Sequence, residues 1–152
     1  MKESERLVAE YEKLFDGSAW IDVNIMDTLK HLSAAQASSK PFRNANSIWQ
    51  IVNHLVSWRE AILKRLKDET VTAPANNFFE PVKDISEAAW RKTMDRLEQS
   101  QVAWVEAMNA SDDEWLEKIW KPGMQSRYEL VQGILQHDCY HLGQIVLLKK
   151  FV

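Results

Sequence analysis

This sequence is poor in cysteine and has no long apolar stretch. Cys139 is its only cysteine, so no disulfide can form within the chain and nothing indicates an oxidising compartment. Uninterrupted apolar runs such as residues 145–148 are only four residues long, whereas a membrane-spanning helix needs about 20. The first residues, Met-Lys-Glu-Ser-Glu, alternate in charge and lead into no apolar core of a signal peptide. We therefore expect a cytoplasmic protein that is neither secreted nor inserted into a membrane.

A large excess of charge of either sign is also absent. The chain has 19 Lys and Arg residues against 22 Asp and Glu residues, a net charge of −3, and the basic residues are scattered among the acidic ones. Binding to a phosphate backbone needs a clustered basic face, so we do not expect nucleic acid as a partner. With 152 residues, of which 45% are hydrophobic and 27% charged, the chain is expected to form a single domain, residues 1–152, around its own core.

Glycine and proline are scarce, with four residues of each, and most of the remaining residues favour helix. Apolar residues recur at three-and-four spacing in several segments, and Ser47, Asp84 and Ser126 precede three of them as expected helix caps. The helices predicted in this way cover residues 4–15, 20–32, 47 to about 67, 84 to at least 108, and 126 to about 150. The expected connections are residues 33–46 and 69–83, a short helical turn at 111–114 and a break at Pro122-Gly123. No segment alternates convincingly with a period of two, so we predict an all-α protein whose main amphipathic helices form a four-helix bundle.

The last predicted helix carries a pair of histidines that face inward. His137 and His141 are four residues apart, which places both rings on one face of a helix, one turn apart. The apolar residues Leu130, Ile134 and Ile145 define the inner stripe of that helix, and both histidines fall inside it. The pair therefore points into the predicted bundle.

A third histidine comes from another helix. His54 flanks the apolar stripe of the second long helix, so its ring can approach the first two across the core. Three neutral imidazoles without a dedicated fourth ligand describe an open site for one divalent ion such as Zn²⁺, with water or substrate in the remaining positions. Asp138 and Gln144 lie near the same face, with Gln144 beside His137, and either is a candidate to orient a ligating ring. Asp138 is also a candidate ligand in its own right.

Less specific interpretations remain open. Two histidines spaced four apart on a helix are often a coincidence, or a hydrogen-bonded pair in an ordinary core. The seven tryptophans are expected to be mostly core residues, with Trp58 and Trp90 as candidates to wall a ligand pocket as well. Cys139 points away from the histidine stripe on the helical wheel, so we expect it to be neither a ligand nor a nucleophile.

Two motifs resemble those of the DinB-like superfamily, a group of metal-dependent enzymes. They are Ser47-Ile-Trp-Gln-Ile-Val-Asn-His54, followed by Trp58, and Gly133-Ile-Leu-Gln-His-Asp-Cys-Tyr-His-Leu-Gly-Gln-Ile145. The resemblance implies an antiparallel four-helix bundle with a long crossover connection, a nickel or zinc ion on His54, His137 and His141, and a homodimer. Relatives with known chemistry include thiol-dependent transferases and a maleylpyruvate isomerase, so a low-molecular-weight thiol is a further candidate cofactor.

Three hypotheses about function follow from these residues. The first is a metal-dependent enzyme with an open three-histidine site that acts on a small molecule by thiol-dependent transfer or by hydrolysis. The second is a non-catalytic bundle that binds a divalent metal or a small ligand, which a closed site with four protein ligands and no pocket would favour. The third is a helical dimerisation module with ordinary core histidines. No serine-hydrolase elbow, P-loop, GxGxxG or CxxC motif is present, which excludes the enzyme classes that depend on them.

Overall fold

The computed structural model describes all residues, 1–152, and is mostly helical. In chain order its elements are α1 (Glu3–Phe15), α2 (Ile25–Leu29), α3 (Ala34–Ser38), α4 (Ile48–Leu66), α5 (Glu87–Asn109), α6 (Asp113–Glu117), β1 (Ile119–Trp120), β2 (Gln125–Ser126), α7 (Arg127–Leu148) and a final 3₁₀ turn (Lys149–Phe151). The four long helices are α1, α4, α5 and α7, and α4 packs against both α5 and α7 while α1 packs against α5. The expected all-α class is confirmed, and the four-helix-bundle arrangement stays a prediction.

The two helices that carry the histidines begin where the sequence indicates. Ser47 caps α4, where the backbone N–H of Gln50 donates to its hydroxyl and the Gln50 side chain accepts from the Ser47 N–H. Ser126 and Glu129 form the same reciprocal pair at the start of α7. Each such capping box satisfies two backbone donors that have no partner inside the helix, which fixes the first residue of the helix.

Three local predictions are wrong. Residues 20–32 do not form one helix, because the Asn24 side chain caps a short α2 and Asp22, with φ of 58°, turns the chain before it. The predicted connection 33–46 contains the short helix α3, which Ser33 and Gln36 begin with a capping box. The third long helix begins at Glu87 with Ser86 as its cap, and Asp84 instead accepts a hydrogen bond from the Ser86 N–H.

A small hairpin also departs from the prediction that no sheet forms. Its two strands of two residues each pair antiparallel, and the predicted break at Pro122-Gly123 lies in the turn between them. A Cβ atom on Gly123 would lie 2.3 Å from a ring carbon of Trp120, so only glycine allows the turn to approach that ring. The hairpin follows α6, which Asp112 caps within the helical turn predicted at 111–114.

The buried apolar residues form two clusters that meet along α4 and α7. The first cluster includes buried residues of α4 up to Val56 and of α7 from Leu142 onward. The second includes buried residues of α4 from Ile62 onward and of α7 up to Ile134. The interval between the clusters holds Arg59, His137, Asp138 and His141, and His54 lies at its edge. None of the helices combines the length and the apolar composition that spanning a membrane would need.

Candidate metal centre

The structure brings three of the four histidines together between α4 and α7. One ring nitrogen from each of His54, His137 and His141 lies within 4.8 Å of the other two. The Nε2 atoms of His54 and His137 are 2.9 Å apart. His54 and His141 are buried, His137 is partly buried, and the fourth histidine, His31, lies exposed beyond the end of α2.

Two of the three rings are held from behind by hydrogen bonds. His54 Nδ1 donates to the carbonyl oxygen of Asn77 at 2.6 Å, and His141 Nδ1 lies 2.7 Å from Oε1 of Gln144. A carbonyl can only accept, so the proton of His54 is on Nδ1 and its Nε2 carries a lone pair. An imidazole held in this way presents the nitrogen that metal ions bind, as outer hydrogen-bond partners do in known metal sites. Gln144 was expected to lie beside His137, but in the structure its side chain contacts His141.

The third ring, that of His137, has a buried nitrogen without a hydrogen-bond partner, and this nitrogen indicates whether a metal ion fits the site. Because His54 Nε2 accepts, His137 Nε2 must donate to it, which leaves the Nδ1 atom of His137 without a proton. That Nδ1 faces Oδ1 of Asp138 at 3.6 Å, and both atoms are buried without any hydrogen-bond partner. If His137 held a metal ion through Nε2, its proton would lie on Nδ1, where the Asp138 carboxylate could accept a hydrogen bond from it. The donor set therefore fits a metal ion better than it fits a metal-free core.

Asp138 is held by a cation and is not part of the cluster. Arg59 donates to its Oδ2 atom from Nε at 2.8 Å and from Nη2 at 2.7 Å, and the side chains are 1% and 0% exposed. Nη1 of Arg59 donates to the side chains of Ser100 and Gln101 on α5. Asp138 is thus a partner of Arg59 that faces His137, and the structure does not support its candidate role as a metal ligand. Arg59 was not among the predicted site residues, although a charged residue between Leu55 and Ile62 on an apolar stripe is a signal in the sequence.

The loop formed by the predicted connection 69–83 covers the histidines. Asn77 and Phe78 have φ of 52° and 61°, the left-handed region that is unusual for a bulky residue such as phenylalanine. This turn places the Asn77 carbonyl on His54 and the Asn77 side chain on the indole N–H of Trp58. Phe79 then stacks on the His54 ring, with centroids 3.9 Å apart and planes at 8°. The loop therefore both orients a candidate ligand and shields it from solvent.

Burial keeps two of the three clustered rings, His54 and His141, neutral. Removal from water disfavours the charged form of an imidazole, which lowers the pKa of His54 to about 4 and also lowers the pKa of His141. Both rings are therefore unprotonated at neutral pH, the only form that can bind a metal ion. Burial likewise raises the pKa of the Cys139 thiol, which lies outside the cluster as the helical wheel predicts.

A groove adjoins the cluster on the side of the hairpin. It has a volume of about 190 Å³, opens beside His137, and runs between α4 and α7 toward β2. Trp58, one of the two candidate pocket residues, lines it, whereas the other candidate, Trp90, is a core residue whose indole N–H donates to the carbonyl of Leu32. A wider groove of about 860 Å³ lies between α1 and α5 and contains none of the histidines.

Comparison with known proteins adds one match. The model of the DinB superfamily matches residues 23–145, a range that contains all three clustered histidines and the loop that covers them. No curated protein and no solved structure matches the chain. The match and the cluster together fit a metal-binding protein.

Proposed function

Given that the chain belongs to the DinB superfamily, we propose that it is a metal-dependent enzyme acting on a small molecule by thiol-dependent transfer or by hydrolysis. One divalent ion, nickel or zinc, is bound by His54, His137 and His141. The observation that carries the proposal is the convergence of three ring nitrogens, with the opposite nitrogens of two rings held by Asn77 and Gln144.

The proposed chemistry divides between the ion and the protein. When bound, a divalent ion supplies positive charge that lowers the pKa of a thiol or a water molecule enough to make it a nucleophile at neutral pH. Each of the three imidazoles offers one ring nitrogen to the cluster, and with Nδ1 of His137 protonated the facing carboxylate of Asp138 could accept a hydrogen bond from it. Phe79 and Trp58 limit the access of bulk water to that point. A low-molecular-weight thiol is the candidate cosubstrate for transfer.

Two observations favour an enzyme over a non-catalytic metal-binding bundle. Asp138 forms an ion pair with Arg59, so no fourth protein ligand completes the site. Such open positions are typical of catalytic sites, whereas structural sites are usually filled by four protein ligands. The groove beside His137 provides a place for a small molecule next to the open position. The third hypothesis, an ordinary histidine core, is disfavoured because it leaves the buried His137 Nδ1 without a partner.

Turnover that depends on the metal tests this proposal. Protein loaded with nickel or zinc is assayed for conjugation of cysteine to monochlorobimane and for hydrolysis of 4-nitrophenyl acetate. We expect acceleration of at least one reaction, and its loss in His54→Ala and after chelation. The matched control is His31→Ala, which removes an exposed histidine outside the cluster and should keep the full rate. Stoichiometric metal without acceleration of either reaction would instead support the non-catalytic bundle.

We also propose that the protein is a homodimer, as the family resemblance implies. The outer face of α7 and the following turn expose Tyr140 (64%), Leu147 (55%) and Phe151 (56%), and Phe151 contacts Phe42, which is itself 45% exposed. Neighbouring exposed apolar side chains of this size are typical of a surface that another chain covers. Light scattering should give the mass of a dimer for the wild type and of a monomer for Leu147→Glu. A monomeric wild type, or a dimer that survives the new charge, would contradict this proposal.

A further inference from the structure

The groove beside His137 contains a cation with no acidic partner. Arg65 lines the groove near its far end, and no carboxylate lies within 4 Å of its guanidinium. Nε and Nη2 of Arg65 donate to the carbonyl of Val71, at 3.1 and 2.8 Å, whereas Nη1 donates to no protein atom. The positive charge is therefore held in position with one donor group unused.

Two indole rings fix the place of this cation. The guanidinium carbon lies 4.7 Å from the centre of the Trp120 ring and 5.5 Å from that of Trp58. The Trp58 ring is in turn 6.1 Å from the ring of His137. The distance from the guanidinium carbon to the centre of the His137 ring therefore cannot exceed the sum of those last two distances, which a short extended molecule can span.

The walls between the two ends are apolar. Ile62, Leu130 and Ile134 line the groove together with Trp58, and Gly133 leaves its rim open, since a Cβ atom there would meet nothing within 4 Å. An occupant is thus expected to have an apolar middle and a charged end. The polar groups at the hairpin end, besides Arg65, are the side chains of Gln125 and Glu129.

We propose that this groove is a subsite for the carboxylate end of a small anionic substrate, whose other end reaches the histidine cluster. The inference rests on the proposed function, because the cluster must hold a metal ion for the second end to be bound. Arg65 binds the carboxylate through its free donor, and the apolar walls bind the connecting chain. A phosphate fits less well, because the groove offers a single cation and Glu129 would repel a second negative charge. The volume of about 190 Å³ restricts the substrate to a compact molecule.

A comparison of two thiols that differ only at the far end tests this inference. Nickel-loaded protein is titrated with 6-mercaptohexanoate and with 6-mercaptohexanol, and the sulfur-to-nickel charge-transfer absorption reports binding at the metal. We expect the carboxylate to bind about tenfold more tightly than the alcohol, the usual gain from a hydrogen bond to a charged group. Arg65→Gln should remove this preference without changing the affinity for the alcohol. A wild type that does not distinguish the two probes, or a preference that persists in Arg65→Gln, would overturn the inference.

A second pair of variants tests the groove without altering Arg65. Gly133→Phe places a large side chain at the open rim and should weaken the binding of both six-carbon probes, whereas Gly133→Ala adds one methyl group in open space and should not. Alanine and phenylalanine both favour helix over glycine, so the pair differs mainly in volume. Unchanged binding of both probes by Gly133→Phe would place them outside the groove and overturn the inference.

The small probe 2-mercaptoethanol separates this inference from the proposed function. It is too short to reach Arg65 and should bind the nickel in every variant. If the protein takes up neither nickel nor zinc, the proposed function fails and the subsite with it. If nickel binds but 2-mercaptoethanol gives no charge-transfer band, thiol-dependent transfer fails and the subsite with it. If 2-mercaptoethanol binds and the two long probes bind equally, only the subsite is wrong.

Discussion

Replacing Arg59 with methionine should lower the free energy of unfolding by about 3–5 kcal/mol, the usual cost of removing one partner from a buried ion pair. The Asp138 carboxylate is fully buried, and Arg59 provides both hydrogen bonds to its Oδ2 atom. Without the guanidinium, a negative charge would remain in the core with no cation near it. Ser100 and Gln101 would also lose their donor. Urea unfolding of wild type and variant measures the difference.

Two further variants separate the buried pair from general effects of losing an arginine. Arg96 forms an ion pair with Glu60 in which both side chains are more than 40% exposed, so Arg96→Met should cost no more than about 1 kcal/mol. Combining Arg59→Met with Asp138→Leu removes both charges and should recover much of the lost stability, because desolvation of the carboxylate no longer has to be offset. A loss below about 1 kcal/mol in Arg59→Met alone would show that Asp138 is not the buried charge described above.

Loss of any one clustered histidine should weaken metal binding by more than the roughly 10–100-fold that loss of an outer hydrogen-bond partner costs. His54→Ala, His137→Ala and His141→Ala each leave two protein ligands, and the structure offers no other side chain to replace the third. Competition with a metal-sensitive dye gives the affinities. His31→Ala is the matched control and should bind as tightly as the wild type, since that residue lies outside the cluster. Equal affinities in all four variants would mean that the ion binds elsewhere.

The helices that carry the cluster could be predicted from local patterns. Ser47 and Ser126 each stand three residues before Gln or Glu, and the apolar spacing that follows identifies the inner face. The i, i+4 spacing of His137 and His141 then fixes their common direction, because the geometry of a helix is regular. These signals are local, so a single sequence is enough to read them.

The rest depends on contacts between distant residues. The pairing of Arg59 with Asp138 joins two residues that are 79 positions apart in sequence, and a helical wheel shows only that each lies near the core. The Asn77 contact to His54 uses a backbone carbonyl, which every residue possesses, so no residue type signals it. Gln144 shares a face with both His137 and His141, and only the side-chain conformation in the fold selects His141.

Short elements escaped prediction for a different reason. Residues 20–32 show helical spacing throughout, yet the Asn24 cap begins a helix of only five residues within them, and Ser33 begins α3 in the predicted connection. The hairpin has only two residues in each strand, too few to show any alternation. In each case a side-chain hydrogen bond or a turn outweighs the secondary structure that the average composition of the segment favours.

The metal content of the purified protein tests the central claim most directly. Protein prepared without a histidine tag or chelators is analysed by elemental mass spectrometry, beside a variant with both His137→Ala and His141→Ala. The proposed site predicts about one equivalent of nickel or zinc per wild-type chain and none in the variant. Wild-type protein that contains no metal even after reconstitution, or a double variant that retains a full equivalent, would contradict it.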